Sequence, residues 1–294
     1  CGKKEPGGDA ARKGPIVVGS KIDTEGALLA HMIAHRLRQR GFKVVDKSQF
    51  GPTQMVRKAL ISGEIDVYPE YTGNGAFFFD ETGSGVWHDL QKGYQRVKEL
   101  DRKRNDVIWL QPAPANNTWA IAIPRELVEK EGLNSLKDFA EYVKREGRVK
   151  LACSEEFVNS EMALPAMEET YGFHLKKNQL LTLSGGNTAQ TEKAAARGTD
   201  GVNAAMAYGT DGALSTLDLI LLSDPAGSQP VYAPAPVVRG PVLEKYPEIR
   251  SILDPVFKGL DRETLQRLNA RIVVEGASAS NVSRSYLQSK GLLD

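Results

Sequence analysis

The sequence predicts an α/β protein built as two lobes, and three observations carry that expectation. The chain opens, after a polar start, with a β-α-β-α-β run. A Pro- and Asn-rich stretch, Gln111-Pro112-Ala113-Pro114-Ala115-Asn116-Asn117-Thr118, then interrupts it and leads into a new alternating strand. A second loop-like stretch, Asp224-Pro225-Ala226-Gly227-Ser228-Gln229-Pro230, closes the middle of the chain, and the C-terminal remainder is largely helical. Such stretches suit crossings between domains. A chain that leaves one α/β unit, builds a second and returns has two hinge connections, which suits closure around a ligand in the cleft. The expected division is a tether at 1–14, one lobe from 15–114 and 225–294, and a second lobe from 115–224.

Taken in order, Ile16-Val17-Val18-Gly19 reads as a buried strand. Asp23 or Thr24 then caps a helix over about 25–40, with Leu28, Leu29, Met32, Ile33 and Leu37 on one face and Gly41 at its end. A strand at 42–46, a helix at 53–62 stopped by Gly63, and a strand at 65–68 come after it. Consecutive strands joined by helices imply parallel pairing through right-handed crossovers. A helix over 87–103 and a strand at 107–110 complete this part. Beyond the first crossing the pattern predicts a strand at 119–123, helices near 126–131 and 136–144, and a strand at 149–153. A helix over 159–171, a strand at 180–183, a helix over 188–197 and strands at 204–208 and 217–223 come next. Ser184-Gly185-Gly186-Asn187-Thr188 reads as the start of the 188–197 helix, because it lacks the lysine and spacing of a phosphate-binding loop. The C-terminal helices are expected at about 241–259, 262–271 and 280–290.

Composition narrows the function. A length of 294 residues allows two domains. A formal net charge of +1 gives no electrostatic case for nucleic acid. No run of about 18 apolar residues is present to span a membrane. His31, His35, His88 and His174 form no metal-ligand spacing, and no nucleophile–base grouping stands out, so neither an enzyme nor a cofactor is expected. Cys153 lies in an apolar run and reads as a small core residue. Cys1 precedes a polar stretch, Lys3-Lys4-Glu5-Pro6-Gly7-Gly8. That pattern looks like a bacterial lipoprotein lipidated at Cys1, which would anchor it at the periplasmic or cell surface.

Asp66-Val67-Tyr68-Pro69-Glu70-Tyr71-Thr72-Gly73-Asn74-Gly75 is the stretch on which function turns. Pro69 and Gly73 predict a loop leaving a strand. Ligands of parallel sheets bind beyond the carboxyl ends of the strands, so Lys21 and Tyr71 are expected on one edge. Taken alone, the tyrosines equally suit a core pair beside a turn. Trp119, Tyr208 and Tyr232 sit in similarly irregular places far apart in sequence. Converging rings would form a cage for a quaternary ammonium, held by cation–π attraction.

Val18-Gly19-Ser20-Lys21, Tyr68-Pro69-Glu70-Tyr71-Thr72-Gly73, Asn116-Asn117-Thr118-Trp119, Tyr208-Gly209-Thr210-Asp211-Gly212 and Tyr232-Ala233-Pro234-Ala235-Pro236-Val237-Val238-Arg239 occur in that order. Together they resemble the substrate-binding proteins of osmoprotectant ABC importers, which take up glycine betaine, choline and related compounds, of the OsmF/YehZ subgroup. The resemblance covers about residues 16–290. It implies a type II periplasmic-binding-protein fold, a monomer that delivers its ligand to ABC permease subunits, and a cage of Tyr71, Trp119, Tyr208 and Tyr232. The same fold binding another zwitterion or amine, or a ligand-sensing lipoprotein without transport, stays open as an alternative.

The resemblance also implies donors for a ligand carboxylate. Lys21 matches the family's lysine. Asn74 stands where the family has a threonine, and its amide can still donate. Ser160 stands where an arginine is usual, ahead of Leu164-Pro165. Replacing charge-assisted bonds of about 1.5–3 kcal/mol with a neutral one of about 0.5–1.5 kcal/mol weakens a carboxylate ligand by tenfold or more. Ser160→Arg should therefore raise the affinity ratio of glycine betaine to choline, measured by calorimetry. An unchanged ratio would remove Ser160 from the site.

Overall fold

The computed structural model describes residues 13–183 and 188–294. Cys1 and residues 184–187 lie outside them. The described residues form two five-stranded sheets, ordered β2-β1-β3-β10-β4 and β7-β6-β8-β5-β9. In the first sheet these are β1 Lys13–Lys21, β2 Phe42–Gly51, β3 Val67–Tyr71, β4 Val107–Trp109 and β10 Pro234–Arg239. In the second they are β5 Trp119–Pro124, β6 Leu151–Ser154, β7 Leu180–Leu183, β8 Ala204–Tyr208 and β9 Leu219–Leu221.

Both sheets share one plan. β2, β1 and β3 run parallel, as do β7, β6 and β8. In each sheet the strand arriving from the other lobe, β10 or β5, inserts antiparallel to its neighbours. The chain thus leaves the first sheet after Trp109, enters the second at Trp119 and returns from Leu221 to Pro234. Separate apolar clusters back the two sheets, one around Leu28, Met32, Ile33 and Phe257, the other around Phe139, Leu151, Phe157 and Met206.

Several sequence expectations are corrected. Lys13 and Gly14 belong to β1 and not to a tether. The chain does not become a loop at Pro69, because β3 runs on to Tyr71. The register explains why. Pro69 lies opposite Pro236, while the ladder bonds fall at alternate positions, from Thr72 N–H to Ala233 O and from Arg239 N–H to Asp66 O. The two prolines face each other at a pair that exchanges no N–H, so neither ring removes a β3–β10 ladder bond; on the β4 side Pro236 still accepts from Leu110 N–H. On the other side of β3 the β1–β3 register pairs Val18 with Val67.

The single helix expected over 159–171 is two, Glu155–Asn159 and Leu164–Tyr171, with Pro165 in the first turn of the second. Likewise Pro247 separates Gly240–Lys245 from Glu248–Lys258, since its ring cannot continue the preceding helix.

The Thr24–Gln39 helix starts as expected, with the Asp23 side chain accepting from Gly26 N–H and Gly41 at φ +85° past its end. Behind the first sheet, Arg57 and Asp101 form a buried bidentate pair at 2.6 and 2.7 Å, and Trp109 Nε1 donates to the same carboxylate at 2.7 Å. This ties the Thr53–Ser62 and Leu90–Asn105 helices to β4. Asp101→Ala strands the guanidinium in the interior. It should cost about 3–5 kcal/mol, read as a lower midpoint in denaturant unfolding.

Candidate functional site

The two crossing segments bond to each other, and this sets the geometry of the cleft. Asn117 N–H donates to Tyr232 O, and Tyr232 N–H donates to Asn116 Oδ1, both at 2.9 Å. The carboxyl ends of β1 and β3 in one sheet and of β8 in the other are thereby brought around one cavity of about 500 Å³. Lys21, Tyr71 and Tyr208 are among its lining residues; Asn74, Trp119, Ser160 and Tyr232 are not.

One pair of these rings meets directly. Trp119 and Tyr208 are register partners in β5 and β8, and their rings stack at 6.3 Å with an 18° interplanar angle. Phe157 also meets Trp119, edge-on at 5.9 Å. In the first sheet Tyr71 ends β3 opposite Pro234, two residues after Tyr232. Tyr232 lies against Gly73, where an added Cβ would come within 2.8 Å of the ring. Glycine at 73 is what admits this contact. Burial, with a smaller contribution from Tyr208, pushes the Tyr232 phenol up to about 12, so it stays neutral at ordinary pH.

Lys21 and Asn74, expected as carboxylate donors, both meet an internal acid. Lys21 Nζ lies 2.5 Å from Glu70 Oε1, and Asn74 Nδ2 donates to the same oxygen at 2.7 Å. Tyr71 N–H and Tyr68 O–H complete the shell of this fully buried carboxylate. Of the two tyrosines in the motif, Tyr68 is therefore core, while Tyr71 faces the cavity. Lys21 Nζ also lies 5.0 Å from the Tyr71 ring centroid. Ser160, half-buried, comes directly after the Glu155–Asn159 helix, its N–H bonded to Glu156 O.

Sequence reasoning missed the acids of the cavity wall. Glu25, in the first turn of the Thr24–Gln39 helix, accepts from Tyr71 O–H and Asn269 Nδ2 at 2.7 Å and from Asn117 Nδ2 at 3.3 Å. Across the cavity stand Glu192, in the Thr188–Arg197 helix, and Asp211, which accepts from Tyr208 N–H at 2.7 Å. Glutamates at 25 and 192 looked like ordinary polar residues of helix first turns and faces, and nothing local in the sequence marks either as buried.

The OpuAC family, substrate-binding domains of ABC-type glycine betaine transport systems, matches residues 14–289. The chain belongs to this family. It is 56% identical over 277 residues to the glycine betaine-binding protein YehZ of Escherichia coli, covering 94% of this chain and 91% of that protein. The apo YehZ structure superposes with a TM-score of 0.87 at 55% identity, over 95% of this chain and all of that one. A glycine-betaine-binding protein of Pseudomonas aeruginosa is 32% identical over 283 residues, 94% of this chain and 88% of that protein. A glycine betaine/carnitine/choline ABC transporter structure shares the fold at 20% identity, with a TM-score of 0.84 over 95% of this chain and 100% of that chain.

In this family member the cavity electrostatics are dominated by carboxyl groups. Asp23, Glu25, Glu192 and Asp211 line it, whereas the lining lysine, Lys21, is paired to Glu70. Burial drives Glu25 up to about 7, while bonds from Thr210, Tyr71 and Asn269 hold it from rising further. Burial drives Glu192 up as well, and the nearby Asp211 adds to the shift. Among the described residues Glu192 Oε1 has no hydrogen-bond partner.

A carboxyl raised in the folded state contributes its stability below its unfolded pKa and loses it as pH rises through the folded value. Ionising Glu192 should therefore destabilise the fold above the ordinary carboxylate range, at up to about 1.4 kcal/mol per pH unit. Glu192→Gln should flatten the fall in melting temperature between about pH 6 and pH 9. A fall as steep as in the wild type would exclude Glu192 as its source.

Proposed function

We propose that the protein captures a quaternary-ammonium osmoprotectant, glycine betaine, choline or a close analogue, between its lobes and presents it to the permease of an ABC importer. The observation that supports this is that Tyr71 and Tyr208, from the two sheet edges, line one acid-rich cavity, with Trp119 stacked on Tyr208 and Tyr232 lying against Gly73 beyond Tyr71. A trimethylammonium head has no N–H to donate. Ring faces and nearby carboxylates are what can stabilise it, and desolvation in a cleft strengthens both. Family membership and the ligands named for the E. coli and P. aeruginosa relatives support the same reading.

In this reading the lobes, 13–114 with 225–294 and 115–224, rotate about the crossings at Asn116, Asn117 and Tyr232. Closure would bring the Trp119–Tyr208 stack toward Tyr71 and Tyr232. A ligand carboxylate would compete with Glu70 for Lys21 and Asn74, so carboxylate recognition is expected to be modest. Tyr71→Ala, Trp119→Ala and Tyr232→Ala should each weaken binding of a quaternary ammonium by about 0.5–2 kcal/mol while leaving the protein folded. Calorimetric titration with glycine betaine and choline checks this. Unchanged affinity in all three variants would sink the cage.

A further inference from the structure

We propose that Glu25 is a positioning residue for ligand capture: it holds the Tyr71 ring and the docking of the two lobes together, and its ionised form is the one that binds the cation. The part played by Tyr71 rests on the function proposed above.

Glu25 gathers groups from separate parts of the chain. Oε1 takes the Tyr71 hydroxyl from the end of β3 and Asn117 Nδ2 from the first crossing. Oε2 takes Asn269 Nδ2 from the Arg262–Val273 helix. The same Asn269 amide donates to Thr210 O at 2.9 Å, in the loop after β8 of the other lobe. Gln266 Nε2 donates to Gly209 O at 2.9 Å beside it. Gly212 packs so closely on this helix that an added Cβ would lie 2.3 Å from Ala270 N. The Arg262–Val273 helix is thus a latch on the second lobe, and Glu25 sits at its inner end.

The atom pattern demands an acceptor at Glu25. Both Asn269 amide hydrogens are spent, on Glu25 and on Thr210, while Asn269 Oδ1 has no partner among the described residues. If residue 25 presented a donor, the Asn269 amide could meet it only by turning over and releasing Thr210. Tyr71, Asn117, Asn269 and Thr210 all point hydrogens at the carboxylate and fill its acceptor sites, so a proton on Glu25 displaces one of them. Loss of the acceptor therefore loosens the Tyr71 ring or the latch.

The surrounding charges favour linkage between a cation and this carboxylate. Asp23 caps the same helix; Tyr71 donates to it; Lys21 is neutralised by Glu70; Asp211 and Glu192 face it from the other lobe. A cation entering among these groups stabilises ionised Glu25, so binding expels a proton when Glu25 holds one. Burial places that exchange near neutrality, at about 7.

The test is calorimetry with glycine betaine and choline at about pH 6 and about pH 8, on the wild type and Glu25→Gln, together with amide exchange of both ligand-free proteins at one pH. The wild type should bind about tenfold more tightly at the higher pH, as expected for one group titrating near 7. Glu25→Gln should bind more weakly at the higher pH and lose most of the wild type's pH dependence, keeping only what the cavity acids Glu192 and Asp211 contribute. Its 209–213 loop should exchange faster than in the wild type. A wild-type affinity equal at both pH values overturns the linkage. Unchanged exchange in folded Glu25→Gln overturns the positioning role. Absence of binding at both pH values, with the exchange difference present, overturns the quaternary-ammonium function and the linkage while supporting the latch.

Discussion

Two hydrogen bonds between the crossings, Asn117 N–H to Tyr232 O and Tyr232 N–H to Asn116 Oδ1, are the constraint on which the cleft depends. Each crossing feeds an antiparallel strand into the sheet it enters. β5 therefore begins where β8 ends, and β10 begins where β3 ends. The carboxyl edge of each parallel set is where loops are free to carry function, and here both edges meet the crossings. Tyr232 belongs both to the contact between the crossings and to the set of rings, and Trp119 follows Asn117 by two residues. Any rotation about the crossings moves the Trp119–Tyr208 stack relative to Tyr71 and Tyr232.

Buried acids organise what surrounds those rings. Glu70 collects Lys21, Asn74, Tyr68 and the Tyr71 backbone behind the cavity; Glu25 collects Tyr71, Asn117 and Asn269 at its wall. Carboxylates buried with several donors are tolerable, because the hydrogen bonds offset desolvation. Glu192 has fewer such partners, and its affinity for a proton rises accordingly. Glu70 and Glu25, on the first-lobe side, are held by several donors each, whereas on the second Glu192 Oε1 has no hydrogen-bond partner among the described residues. That asymmetry suits a site completed by a cation.

Much of this was legible in the sequence because it is local. Strand and helix periodicity placed both α/β units, the Pro- and Asn-rich segments marked the crossings, and five short motifs in order pointed to the family. What escaped depends on partners distant in the chain. Pro69 reads as a strand breaker until Pro236 is known to face it at a pair needing no N–H. Lys21 reads as a free donor until Glu70 is seen 2.5 Å away. Glu25 looks like an ordinary acid in a helix first turn, and only Asn269, far along the chain and itself bonded to Thr210 of the other lobe, reveals that it is buried and tied to that lobe. The break between the Glu155–Asn159 and Leu164–Tyr171 helices, hidden by a continuous polar–apolar pattern, sets where Ser160 lies.

A crystal structure of the protein with glycine betaine tests the central claim most directly. The account predicts the quaternary nitrogen in the cavity between the lobes, within about 6 Å of the centroids of rings from both sheet edges, Tyr71 or Tyr232 on one side and Trp119 or Tyr208 on the other. A ligand bound outside this cavity, or with its ammonium head turned away from the rings of either lobe, would contradict it.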